Sequence, residues 1–70
     1  MDTSARNQLK GTVKSVTMGA VMAEVIVDVN GIEIVAAITK DSAERLNLTE
    51  GASVVAVIKA TDVMVGRREA

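Results

Sequence analysis

Apolar and polar side chains alternate along most of this chain, and a period of two residues predicts β-strands with one buried face. The alternation is cleanest over residues 21–29. One side of that strand carries Val21, Ala23, Val25, Val27 and Val29, and the other carries Met22, Glu24, Ile26 and Asp28. Asn30 and Gly31 follow directly, and both tolerate positive φ. A tight hairpin is therefore predicted, with residues 32–39 returning as the partner strand.

The alternating pattern continues on both sides of residues 21–31. Residues 8–18 predict a strand with Leu9, Gly11 and Val13 on one side, and residues 19–20 a tight connection. We expect Gly11 to mark a bend or a bulge. In residues 32–39 the buried side is formed by Ile32, Ile34, Ala36 and Ile38. Val35 and Ala37 leave the opposite side half apolar, which predicts burial of that side against another subunit.

After residue 39 the alternation stops, and residues 40–46 predict a short helix. Asp41 followed by Glu44 resembles a capping pattern, and Thr39 is an alternative cap. Leu46 and Leu48 are expected to close one end of the core, and residues 49–51 form a turn. Residues 53–59 form a strand that is apolar on both faces, and residues 63–65 a last short strand. Residues 1–3 are expected to be an arm and residues 66–70 a frayed tail.

Five strands with one short helix between the third and the fourth match the element order of an OB-type barrel. We therefore predict an all-β, five-stranded, OB-fold-like barrel occupying residues 1–70 as a single domain. A chain of 70 residues lies in the range where one core is marginal and oligomerisation is a common remedy.

Composition removes several classes of function. The chain has no Cys and no His, so soft-metal sites and the commonest catalytic bases are missing. It has no aromatic residue and a net charge of −1, so it offers neither stacking platforms nor a basic field for a nucleic acid. The N-terminus does not resemble a signal peptide and no apolar run is long enough to span a membrane, so a cytoplasmic location is expected.

Residues 4–11, which lead into the first predicted strand, are rich in charged and hydrogen-bonding side chains. They bring together Ser4, Arg6, two side-chain amides and Lys10. A guanidinium offers a fixed fork of donors that suits an oxyanion, and a hydroxyl adds a short charge-assisted bond. The structural alternative is an ordinary loop whose arginine makes a surface ion pair.

Two further polar clusters have similarly plain alternatives. Thr39 and Ser42 lie at the predicted helix start, where hydroxyl residues usually serve as caps. Lys59, Ala60 and Thr61 lie at the end of the fourth strand, where a lysine is usually a solvated charge and Thr61 part of a turn. One short segment cannot surround an anion, so residues 4–11 would need ligands from clusters such as these.

Four blocks in order along nearly the whole chain resemble the molbindins, the small Mop-type molybdate-binding proteins. The blocks are residues 4–11, residues 21–25, Ile38-Thr39 with Ser42, and residues 57–64. The resemblance implies molybdate bound as an intact oxyanion, with no protein atom coordinated to molybdenum. By resemblance the ligand-binding positions are Ser4, Arg6, Thr39, Ser42, Lys59 and Ala60. Some relatives have a serine at the position of Ala60, so this chain lacks one possible hydroxyl ligand.

The same resemblance implies assembly and role. Molbindins form hexamers described as trimers of dimers, with sites between subunits, so Ser4 and Arg6 of one chain are expected to meet residues of another. A second kind of site is expected to use backbone groups near Gly19, Ala20 and Val21. The implied role is storage or homeostasis of intracellular molybdenum, with tungstate as a second ligand.

Other classes of function are less well supported by the residues. A molybdate-sensing module that signals through a partner protein would share this fold and these sites. A nucleic-acid-binding OB domain would need the aromatic residues and basic groove that this chain lacks. An enzyme would need a nucleophile with a base beside it, and the carboxylates alternate with apolar residues as solvated strand positions do. We predict that the chain binds neither a membrane nor a nucleic acid.

Overall fold

A computed structural model of the chain describes residues 1–69. Its elements in order are β1 (Asn7–Met18), β2 (Met22–Val29), β3 (Ile32–Thr39), α1 (Lys40–Arg45), β4 (Ser53–Ile58) and a 3₁₀ helix (Ala60–Asp62). The predicted first four strands and the helix are confirmed to within a residue or two at each end. No helix among residues 1–69 has the length and apolar character needed to cross a membrane.

The four strands form one antiparallel sheet in the order β3-β2-β1-β4. The hairpin between β2 and β3 turns at Asn30 and Gly31, whose φ angles are 50° and 88°. Two successive positive φ angles are typical of the type I′ turn, whose twist matches the twist of the strands it joins. The Asp28 side chain accepts a hydrogen bond from the Gly31 amide at 3.1 Å, which further fixes this predicted turn.

The long strand β1 pairs with β4 through its first half and with β2 through its second half. The register with β2 shifts between Val13 and Ser15, so the bulge lies at Lys14 and not at Gly11 as the sequence suggested. Gly11 has a different role. A Cβ at Gly11 would lie 2.5 Å from the carbonyl oxygen of Asp28, so only glycine permits β1 and β2 to approach this closely.

The core lies on the inner face of the curved sheet. Val13, Val25 and Val27 form its buried centre, which confirms the face predicted for β2 and for the start of β1. The partly buried residues packed around them are Val16, Val29, Ile34, Ala36, Ile38, Leu48, Ala52 and Val54. Leu48 contacts this core as predicted, whereas Leu46 is 62% exposed, so the expectation that both leucines close the core was wrong.

Thr39 precedes helix α1 as its N-cap, which decides between the two capping alternatives for this helix. The Thr39 hydroxyl accepts a hydrogen bond from the Ser42 amide at 3.1 Å, so Thr39 is the N-cap and Asp41 lies inside the first turn. Asn47 follows the helix with a φ of 52°, and its amide donates to the carbonyl of Glu44. Positive φ just after a helix satisfies its last carbonyls, which explains the short length of α1.

The predicted fifth strand is absent from residues 1–69, and the barrel is not closed within one chain. Residues 63–65 follow the 3₁₀ helix without entering the sheet. As a result β3 and β4 are both edge strands, and an apolar groove of about 1190 Å³ lies between them. The sequence pattern identified three successive apolar residues there, but the pairing of such a segment depends on a neighbouring strand edge that alternation does not reveal.

Candidate oxyanion site

The segment before β1 is fixed against the end of β4 by side-chain amides. Asn7 is paired with Ile58, and its Nδ2 donates to the Ile58 carbonyl at 3.2 Å. Gln8 Nε2 donates to the carbonyl of Ala5 at 2.8 Å, and the amide of Ala5 donates to the Thr3 hydroxyl at 3.2 Å. The two amide side chains thus hold the backbone around Arg6 in position.

Arg6 and Lys59 lie opposite each other where β1 and β4 end. The outermost residue pair between β1 and β4 is Asn7 with Ile58. Extending this antiparallel register by one residue places Arg6 across from Lys59. Both side chains are exposed. Among residues 1–69 the one salt bridge joins Lys14 to Glu33. Neither Arg6 nor Lys59 therefore forms a salt bridge within this part of the chain. Two positive charges without an ion-pair partner at one strand end favour a bound anion.

Arg6 and Lys59 both line a surface depression of about 580 Å³. It brings together four of the residues predicted from sequence, namely Ser4, Arg6, Lys59 and Ala60. Ala60 begins the 3₁₀ helix, and the first amides of a helix have no partner within it. The depression therefore offers a hydroxyl, a guanidinium, an ammonium and a backbone amide, the donors that a tetrahedral oxyanion accepts from.

Three polar residues that were not predicted as ligands also line the depression. They are Thr3, which the sequence placed in the arm, and Thr61 and Asp62 of the 3₁₀ helix. The hydroxyls add possible donors, whereas the Asp62 carboxylate adds negative charge beside an anion site. The signal for these residues was their nearness in sequence to Ser4 and Lys59, but a threonine and an aspartate in a turn are usually only turn-forming residues.

Thr39 and Ser42 lie apart from the depression, beside the turn that joins β1 to β2. The amide of Lys40 donates to the carbonyl of Val21 at 2.7 Å, and Met22 is paired with Thr39. The same turn is tied by the Gly19 amide, which donates to the Met22 carbonyl at 2.8 Å. In a single chain the six predicted residues thus separate into two groups, and the second group adjoins the predicted second site at residues 19–21.

The hydroxyls of the second group are already bonded to each other. Thr39 Oγ1 donates to Ser42 Oγ at 2.8 Å while accepting from the Ser42 amide. Arg45 Nη2 lies 3.5 Å from Ser42 Oγ and brings a positive charge to this end of the molecule. Sequence reasoning did not select Arg45, because its position in the last turn of α1 is typical of a charge that complements the helix dipole.

One cross-strand ion pair lies elsewhere in the sheet. Lys14, the bulged residue of β1, forms a cross-strand ion pair with Glu33 of β3. The hydrogen bond from Lys14 to Glu33, assisted by the negative charge of Glu33, raises the pKa of Lys14 above its usual value. Both side chains are well exposed, so the pair is a surface feature and belongs to neither polar group.

Comparisons with known proteins agree with the resemblance found in the sequence. The TOBE domain family matches residues 3–65. Molybdenum-pterin-binding protein 1 of Clostridium pasteurianum is 48% identical over 66 residues, which cover 93% of this chain and 97% of that protein. These matches confirm the family resemblance over nearly the whole chain.

Solved structures extend the agreement to three dimensions. A molybdate-binding protein from Sporomusa ovata superposes with a TM-score of 0.91 at 46% identity, covering 96% of this chain and all (100%) of that one. The cytoplasmic molybdate-binding protein ModG, solved with molybdate bound, gives a TM-score of 0.81 at 49% identity. That match covers 86% of this chain and 43% of ModG, so the same fold also occurs as part of a longer chain.

Proposed function

This chain belongs to the TOBE domain family, among its small molybdenum-pterin-binding and molybdate-binding members, and we propose that it binds molybdate reversibly as an intact oxyanion. The observation that carries the proposal is the opposition of Arg6 and Lys59 at the open end of the β1–β4 pair. Binding, and not catalysis, is the activity proposed.

Charge is the first argument for molybdate. Molybdate is a tetrahedral dianion, and a site with two cations balances its charge without a metal ligand. Arg6 supplies a planar fork of donors and Lys59 a compact ammonium, so the pair contacts several oxygens from two directions. The anion stays intact in this arrangement because hydrogen bonds to oxygen hold it and no side chain coordinates molybdenum.

The neutral donors are the second argument. The Ser4 hydroxyl and the Ala60 amide line the depression together with the two cations. Charge-assisted hydrogen bonds to an oxyanion are roughly twice as strong as neutral ones, so two such donors contribute substantially to affinity. Tungstate has nearly the same size and charge as molybdate, and we propose that the site accepts it too.

A second site is proposed where Thr39 and Ser42 meet the turn at residues 19–21. The hydrogen bond from Lys40 to Val21 keeps these segments together, and the predicted backbone ligands Gly19, Ala20 and Val21 are all exposed. The Thr39 and Ser42 hydroxyls bond each other in the single chain. An anion there would therefore have to compete with the cap or receive further donors from another subunit.

Assembly is part of the proposed function. Val35 and Ala37 on β3, and Val55 and Val57 on β4, are exposed on the outer face of the sheet. Burial of these apolar residues between copies would support the proposed hexamer, a trimer of dimers with sites at its interfaces. Because a ligand that binds only the assembled form stabilises it, molybdate is expected to stabilise the oligomer. The proposed role is storage or homeostasis of molybdenum in the cytoplasm.

The test is isothermal titration of the purified protein with molybdate and, separately, with sulfate, together with native mass spectrometry of the same sample. We expect heat from molybdate, little or none from sulfate, and an oligomer whose mass gives the number of anions bound per chain. A monomer that shows no heat with molybdate and no thermal stabilisation by it would overturn the proposal.

A further inference from the structure

A carboxylate lies in the wall of the depression that is otherwise lined by donors and cations. Of the residues between 1 and 69 that line it with Arg6 and Lys59, Asp62 alone is acidic. Asp62 ends the 3₁₀ helix after β4, and its amide donates to the carbonyl of Lys59 at 2.9 Å. This hydrogen bond closes a turn that brings Asp62 back beside Lys59. An ionised carboxylate has no proton to donate to an oxyanion, so Asp62 is not a ligand of the same kind as its neighbours.

The turn that holds Asp62 is closed by the backbone. Besides the hydrogen bond to Lys59, the amide of Val63 donates to the carbonyl of Ala60 at 3.3 Å. The Asp62 side chain is exposed, and within the described part of the chain it forms no salt bridge with Arg6 or Lys59. The carboxylate therefore neither closes the turn nor neutralises a neighbouring cation. Its charge is available to act on an ion that enters the depression.

Three charged side chains set the electrostatic field of the depression. Arg6 and Lys59 are positive and Asp62 is negative, which leaves a formal charge of +1. The two cations attract an oxyanion, and the carboxylate repels it. Because Coulomb energy is proportional to the charge of the ligand, the repulsion by Asp62 is twice as large for a dianion as for a monoanion of the same size at the same position.

We propose that Asp62 is a specificity-determining residue that lowers the affinity of the depression for dianionic oxyanions more than for monoanionic ones. The inference rests on the proposed function, because it concerns the same depression and the same ligand. Differences in affinity between closely related complexes lie mostly in the dissociation rate, so Asp62 also speeds release of the dianion. Retention of molybdate is then set by the balance of three charges, and the carboxylate keeps binding reversible.

Titration of Asp62→Asn with two anions tests the proposal, because this change removes the charge and keeps the size of the side chain. The probes are molybdate and perrhenate, which are tetrahedral oxyanions of nearly the same size that differ in charge. At low salt we expect Asp62→Asn to raise the affinity roughly four- to tenfold for molybdate and about two- to threefold for perrhenate, measured by competition with molybdate. The second gain is close to the square root of the first, because the repulsion that is removed is half as large.

Matched variants separate the effect of charge from an effect on structure. Asp62→Glu keeps the charge and is expected to bind both anions nearly as the unaltered chain does. Asp62→Ala is a second neutral variant and is expected to give the same two gains as Asp62→Asn. Glu50→Gln removes a negative charge from the turn before β4, at the opposite end of that strand from Lys59, and is expected to leave both affinities nearly unchanged. Thermal melts without anion should coincide, because both replaced side chains are exposed.

Salt provides an independent measurement of the same effect. At an ionic strength of about 1 M, charges interact over only about 3 Å, so most of the gain from Asp62→Asn should disappear. A gain that persists unchanged at this salt concentration would be steric and would overturn the proposal.

The two anions give the other decisive outcomes. Equal gains for molybdate and perrhenate would mean that the neutral variants open the depression or remove a competing contact, and that charge does not select the ligand. Unchanged molybdate affinity in both neutral variants would place the carboxylate outside the field felt by the anion. Either result overturns the inference and leaves the proposed function intact, because the unaltered chain still binds molybdate. Absence of molybdate binding by the unaltered chain would instead overturn the proposed function and this inference with it.

Discussion

The two polar groups of this molecule use similar residues in opposite ways. At the start of α1, the Thr39 hydroxyl both accepts from the Ser42 amide and donates to Ser42 Oγ, so these polar groups bond one another. At the end of the β1–β4 pair, Arg6 and Lys59 lie across from each other in a depression and neither forms a salt bridge within residues 1–69. The hydroxyls of the first group are bonded to each other within one chain, whereas the two cations of the second group form no salt bridge among the described residues.

This difference shows why residue type alone does not separate a cap from a ligand. A threonine hydroxyl donates and accepts equally well toward a backbone amide, a serine or an oxyanion. What distinguishes the two groups is whether their bonds are already made within the chain. We therefore expect changes at Arg6 to alter binding with little effect on folding, and changes at Thr39 to alter folding with little effect on the Arg6 site.

The largest effect on binding is expected from Arg6→Ala. Removing a charge-assisted donor costs about 1.5 to 3 kcal/mol, which corresponds to a loss of molybdate affinity of roughly 10- to 150-fold in titration calorimetry. Arg67→Ala removes the same charge from a residue that lies outside both polar groups and is expected to leave affinity nearly unchanged. If Arg6→Ala unfolds the protein, or binds molybdate normally, then Arg6 is structural and the contrast between the two groups fails.

An intermediate effect, on stability, is expected from Thr39→Ala. Loss of an N-cap hydroxyl costs about 1 kcal/mol, which lowers the Tm of a domain of this size by roughly 4–8 °C in a thermal melt. Thr39→Ser keeps the hydroxyl and serves as the control, with a much smaller decrease in Tm. Affinity at the Arg6 site is expected to be the same in both variants. A Thr39→Ala protein with unchanged Tm and impaired binding would show that Thr39 is a ligand and not mainly a cap.

The smallest effect is expected from Ala60→Ser, which adds a hydroxyl to the depression. One further hydrogen bond contributes a net 0.5 to 1.5 kcal/mol, so molybdate affinity should increase by roughly two- to tenfold. Ala60→Val adds apolar volume without a donor and is expected to give no gain. Titration of the two variants side by side decides whether Ala60 faces the anion, and equal affinities would place it outside the contact shell.

Much of the fold follows from local patterns in the sequence. The two-residue spacing of Val25 and Val27, with Glu24 and Asp28 on the opposite side, predicted the buried face of β2, and Asn30-Gly31 predicted the hairpin. These features are local, because side-chain period and permitted φ depend only on neighbouring residues. The site was only partly predictable. The sequence identified Arg6 and Lys59 as candidates, but their opposition depends on the antiparallel register of β1 with β4.

By itself, the sequence determined the first four strands, the short helix, the family and the residue types available for an oxyanion. Tertiary structure alone decided that Thr39 and Ser42 lie apart from Arg6, and that the bulge falls at Lys14. It also decided that residues 63–65 remain outside the sheet. The physical reason is that strand pairing, register and barrel closure depend on contacts between segments that are distant in sequence. A local pattern indicates which side chains of a segment can be buried, but it does not indicate which surface will cover them.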